Sequence, residues 1–90
     1  MSEQISEELI ELYRQHIPNY IADLEKAISD RDKVKMRDVA HNIASAMGSI
    51  DDMESGDLFR RIEKEDLSFG EVAELLKQAS AIARITLDGL

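Results

Sequence analysis

Apolar residues in this chain return every three or four positions almost from end to end, and no segment alternates with a period of two. Recurrence near 3.6 puts those positions on one face of an α-helix, whereas a half-buried strand needs strict alternation. The first stripe is Leu9, Ile10, Leu12, Tyr13, Ile17, Tyr20, Ile21, Leu24 and Ile28, with Glu7, Glu8, Glu11, Arg14, Glu25 and Lys26 on the opposite arc. It predicts an amphipathic helix over residues 4–29. Pro18 removes the bond to the Arg14 carbonyl, and because the stripe keeps its phase across it, a kink is expected there rather than a break. Ser29-Asp30-Arg31-Asp32 reads as a tight connection in which Asp30 or Asp32 caps the next helix.

Met36, Val39, Ala40, Ile43, Ala46, Met47 and Ile50 predict a second long helix over residues 33–50, with Gly48 as its first breaker. After the turn formers of residues 51–56, Met53, Leu58, Phe59 and Ile62 fit a shorter third helix, with Arg60, Arg61 and Glu63 around it. Ser68 and Glu71 have the S-x-x-E spacing of a capping box, and Val72, Leu75, Leu76, Ala79, Ile82, Ala83 and Thr86 form a last stripe ending near Gly89. Four helices on short loops, each with one apolar face, bury those faces most simply as an all-α, antiparallel up-and-down four-helix bundle. At 90 residues, with no linker or repeat, residues 1–90 form a single domain.

Several function classes drop out. The chain has no cysteine, which removes disulfides, thiolate metal sites and reactive thiols. Its net charge of −8 would repel a phosphate backbone, so nucleic-acid binding is not expected. Most of the 19 acidic residues read as solvated helix faces. No apolar run approaches the ~20 residues of a membrane span, and Met1-Ser2-Glu3 lacks the basic start of a signal peptide, so a cytoplasmic protein without membrane contact is expected. No glycine-rich phosphate loop and no Glu-x-x-His pair occurs, and neither a cofactor nor a metal of its own is expected.

Two histidines remain. His16 has no polar constellation around it and reads as an ordinary surface or half-buried residue beside Pro18. His41 differs by its phase. At ~100° per residue, Met36, Val39, Ile43, Ala46 and Ile50 point away from it, leaving the imidazole on the outer face. The residues three, four and seven positions on are Ala44, Ser45 and Gly48, so the following turns carry almost no bulk. Solvent faces usually carry better helix formers than Ser or Gly. Either something large approaches this face, or it is a packing seam for another helix of the chain.

The segment Ala40-His41-Asn42-Ile43-Ala44-Ser45-Ala46-Met47-Gly48-Ser49-Ile50 resembles the signature of histidine phosphotransfer domains, of the kind found at the C-terminal end of hybrid sensor histidine kinases. That signature has a His after Ala, an apolar residue two on, then Lys, Gly and small residues. Upstream, Pro18-Asn19-Tyr20 and Leu24-Glu25 stand at similar distances before the histidine. Downstream, Leu58 and Ile62-Glu63 resemble the helix that packs beside the site. The resemblance covers about residues 9–64. It implies a phosphocarrier rather than an enzyme, with His41 as phosphoacceptor in a phosphorelay. The implied partners are response-regulator receiver domains or a hybrid kinase, Mg²⁺ is supplied by the receiver, and the carrier itself is a monomer.

The departures are Ala44 where the family usually has Lys, and Ser45 where it has Gly. Arg37, four residues before His41, shares its face and is a partial substitute for the missing cation. Ser45 keeps the approach open and offers a hydroxyl. Glu63 falls where the resemblance places a polar partner of the imidazole. The docking surface is expected around His41, Ala44, Ser45 and Gly48, with a contribution from the exposed side of the first helix. Two other readings stand beside this one. The first is a receiver-binding module that transfers poorly for want of the Lys; the second is a structural adaptor or dimerisation bundle, with His41 buried in a helix seam.

Overall fold

A computed structural model describes residues 7–89, which form four α-helices: α1 (Glu7–Ser29), α2 (Lys33–Ser49), α3 (Met53–Lys64) and α4 (Phe69–Gly89). The expected start of the first helix at residue 4 lies outside the described residues. α1 continues through Pro18 unbroken, with the proline on its exposed side. α2 begins where Asp32 caps it, its Oδ1 accepting from the Lys35 N–H at 3.1 Å. Satisfying one of the orphan N–H groups of a first turn is what an aspartate does well at this position.

The helices run up and down. At one end, Lys33 reaches Asp66 at 3.4 Å, and the Arg31 guanidinium lies 5.3 Å from the Phe69 ring centre, so the connections at residues 30–32 and 65–68 sit side by side. At the other end, Arg14 Nε donates to the Leu87 carbonyl at 3.1 Å, which ties the start of α1 to the end of α4. The resulting rod measures 42 × 20 × 20 Å. Its core draws on every helix, through Ile17, Ile21 and Leu24, Met36, Ile43 and Met47, Phe59 and Ile62, and Val72, Leu76 and Ala83. Two residues of the expected stripes are exposed: Leu12 at 47% and Met53 at 55%. Both lie at the margin of their stripe, where periodicity alone does not tell whether a neighbouring helix reaches far enough to cover them.

α2 continues through Gly48, close to its expected end at residue 50. It runs to Ser49, and the chain turns at Asp51, which takes a left-handed φ of 63°. The Asp51 N–H donates to the Gly48 carbonyl and the Asp52 N–H to the Met47 carbonyl. These bonds satisfy the last carbonyls of α2 in the manner of a left-handed cap, and aspartate accepts that backbone region better than most residues with a Cβ. Asp52 then caps α3, its Oδ1 accepting from the buried Ser55 N–H at 3.1 Å.

The capping box at α4 is reciprocal. The Glu71 N–H donates to Ser68 Oγ at 3.2 Å and the Ser68 N–H donates to Glu71 Oε1 at 3.1 Å. The Ser68 backbone N–H first, and its hydroxyl second, hold the Glu71 carboxyl below the ordinary carboxylate range. A carboxylate favoured in the folded state stabilises the fold above its ordinary pKa, and that contribution fades as pH falls through the lowered folded value. Glu71→Gln keeps an acceptor and loses the charge. It is expected to melt below the wild type at neutral pH, with the difference closing on acidification; a difference independent of pH in thermal melts would contradict this account.

Candidate functional site

The residues that surround His41 come from α2 and α3. On α2, Met36, Val39, Ala40, Ile43 and Met47 are buried, as is Ile50 just past its end, and this forces His41 outward. Its side chain is 61% exposed. On α3 the anchors are Phe59 and Ile62, both with no exposure, and the next residue, Glu63, is thereby directed along α2. His41 Nδ1 lies 2.9 Å from Glu63 Oε2, and the Glu63 side chain is only 20% exposed.

An ionised carboxylate has no proton to give, so this contact places the ring proton on Nδ1. In the neutral ring the lone pair is then on Nε2, the nitrogen left without a partner among the described residues. A carboxylate fixing one ring nitrogen while the other faces outward gives a nucleophile of defined tautomer and orientation. The hydrogen bond expected between Glu63 and His41 is present. His16, by contrast, is exposed and stacks on Tyr20 with ring centres 6.3 Å apart.

The small-residue face divides in two. Ser45 is exposed, and a Cβ placed on Gly48 would meet nothing within 4 Å, so the approach to the imidazole from the C-terminal half of α2 is open. Ala44, expected on that same face, is instead buried at 2% exposure. Three residues beyond His41 on a helix is a rotation of ~300°, which puts Ala44 about 60° from His41 on the flank opposite Ser45, and that flank is the one α3 covers. Gly56 supplies the close approach. A Cβ there would stand 3.6 Å from the Ala44 carbonyl oxygen and 3.8 Å from both the Gly48 nitrogen and Met47 Cβ.

Those are ordinary van der Waals distances, so Gly56→Ala is tolerated and should gain about 0.5–1 kcal/mol from helix propensity. Gly56→Leu has no comparable space and should push α3 from α2. A thermal melt that falls for alanine as steeply as for leucine would refute this picture of the seam.

Arg37 is exposed and has no hydrogen bond or ion pair among the described residues. It shares the outer arc of α2 with His41, one turn toward the N-terminus. The imidazole is turned to α3, and the surface immediately around it is built by α2 and α3. Arg60, which sequence reasoning left unassigned, lies on the α3 side of this surface; only the packing of Gly56 and Glu63 on α2 draws attention to it. Among the described residues no three His, Cys, Asp or Glu side chains converge to hold a metal ion. No helix among them is long and apolar enough to cross a membrane. Compared with protein-family models, with curated proteins and with solved structures, the chain matches none.

Proposed function

We propose that this chain is a histidine phosphotransfer domain, relaying a phosphoryl group between receiver aspartates through His41. The observation that carries the reading is the 61% exposed imidazole whose Nδ1 is held by Glu63 at 2.9 Å, with no partner on Nε2 among the described residues. In the forward step, Nε2 attacks the phosphorus of an aspartyl phosphate, the Nε2–P bond forms, and the acyl phosphate P–O bond breaks to release the aspartate carboxylate. The ring keeps its Nδ1 proton and becomes formally cationic, facing the Glu63 carboxylate. Transfer to a second receiver reverses these bond changes. An acyl-phosphate donor brings its own acidic Mg²⁺ site, so the carrier has only to present the nucleophile and leave its surroundings clear. The open flank at Ser45 and Gly48 suits that task.

A second reading is favoured by the identity of residue 44, an alanine where a phosphotransfer domain usually has Lys: a module that binds a receiver but transfers poorly for want of that cation. The adaptor reading, with His41 inside a helix seam, fits poorly with a 61% exposed side chain. The deciding experiment incubates the chain with a phosphorylated receiver and Mg²⁺, assaying for acid-labile, base-stable label. Label on this chain supports the relay. A receiver complex without label selects the non-transferring module, and neither label nor complex with any receiver tested would overturn both.

A further inference from the structure

We propose that Arg60 is the cation that pairs with the phosphoryl group on His41, an inference that rests on the phosphotransfer reading above. A phosphoryl group on Nε2 brings about −1.5 to −2 charges to a chain of net charge −8, beside the Glu63 carboxylate. Such a group calls for a nearby cation, and the buried position 44 has none to offer.

The stripe of α3 that faces α2 supplies one. Gly56, Arg60 and Glu63 are spaced by four and then three residues, so they lie along a single face of that helix. Both ends of this stripe are located on α2: Gly56 against the Ala44 carbonyl and the Gly48 nitrogen, and Glu63 against His41. Arg60, between them, therefore lies alongside the stretch from His41 to Ser45, about one helical turn (~5.4 Å) from Glu63.

Arg60 is also free to move. Its one ion pair among the described residues is a 3.8 Å contact to Asp57, with both side chains at least half exposed. Contacts of that kind hold a side chain weakly. Helical side chains lean toward their own N-terminus, and α3 is antiparallel to α2, so Arg60 at rest lies toward Ser45 and Gly48, beside Asp57, and reaches the imidazole by swinging about one turn toward the Glu63 end of α3. Those two residues leave its long stem room to swing onto the imidazole. Arg61 is already engaged, its Nε and Nη2 donating to Glu65 at 3.1 and 3.4 Å.

The test loads the full chain with phosphoramidate and no partner protein. Nε2 attacks phosphorus, the P–N bond breaks, ammonia leaves, and the ring proton stays on Nδ1. Wild type, Arg60→Gln, Arg60→Lys and Arg84→Gln are compared for initial rate of phosphohistidine formation and for its half-life, then again with a phosphorylated receiver as donor. Arg84→Gln makes the same change in net charge on α4. Arg60→Gln should load about fivefold more slowly, equivalent to about 1 kcal/mol, Arg60→Lys should recover most of the rate, and Arg84→Gln should match the wild type. Equal loading of Arg60→Gln and wild type, or an equal decline in Arg84→Gln, overturns the assignment of Arg60 and leaves the phosphotransfer reading standing. A wild type that takes label from neither donor removes that reading, and the role of Arg60 with it.

Discussion

His41→Gln is expected to abolish phosphohistidine formation completely while leaving the fold untouched. Glutamine has no nucleophilic nitrogen, but its amide N–H can donate to Glu63 as Nδ1–H does, so the carboxylate keeps a partner. The replaced side chain is 61% exposed, and none of the core contacts passes through it. Surface substitutions of this kind stay within about 0.5 kcal/mol of the parent. The measurement is paired: helix content and thermal midpoint unchanged, label from a phosphorylated receiver absent. Label that survives in the variant would put the acceptor elsewhere, with His16 the other histidine available, and would end the case for His41.

Phe59→Ala should produce the largest loss of stability. α3 has only 12 residues, and of its four buried positions Ser55 and Gly56 contribute little apolar bulk. Phe59 and Ile62, both without exposure, hold the helix to the core. Truncating a buried phenylalanine costs about 3–5 kcal/mol, a large share of the ~5–15 kcal/mol that stabilises a small domain. At ~4–8 °C per kcal/mol for a chain of this size, the midpoint should fall by about 12 °C or more. Glu63 follows directly on the anchored Ile62, so at temperatures where α3 detaches His41 should lose its partner as well. A loss under about 1 kcal/mol would mean that the core closes over the gap, and the view of Phe59 as the main anchor of α3 would be wrong.

Most of the architecture is legible in the residues themselves, because each helix has an unbroken apolar stripe and its ends have side chains that cap. Asp32, Ser68 and Glu71 act where their spacing predicts, and the second and fourth helices end within a residue of their expected limits. The pairing of Glu63 with His41 was visible through resemblance, while the periodicity of either helix alone says nothing of it. What periodicity does not contain is which neighbour covers the flank of a stripe. Ala44 looks equivalent to Ser45 in a list of small residues, yet the close approach of Gly56 buries one and leaves the other open. Met53 fits the apolar pattern but begins α3 beyond the reach of the core. The turn after α2 falls at the start of the expected turn formers, where Asp51 adopts the left-handed backbone, while Gly48 stays helical.

The connection at residues 50–52 also bears on how the molecule assembles. It joins α2 and α3 into a helical hairpin that contains His41 and Glu63, 22 residues apart in the chain. Contacts between neighbouring helices close short loops and form early in helical domains. The pair of groups invoked for transfer is therefore intrinsic to one supersecondary unit, while α1 and α4 supply most of the remaining burial. Drift in the two outer helices is buffered from the imidazole as long as they keep covering the hairpin, so sequence divergence should run faster there than along the seam between Ala44 and Gly56.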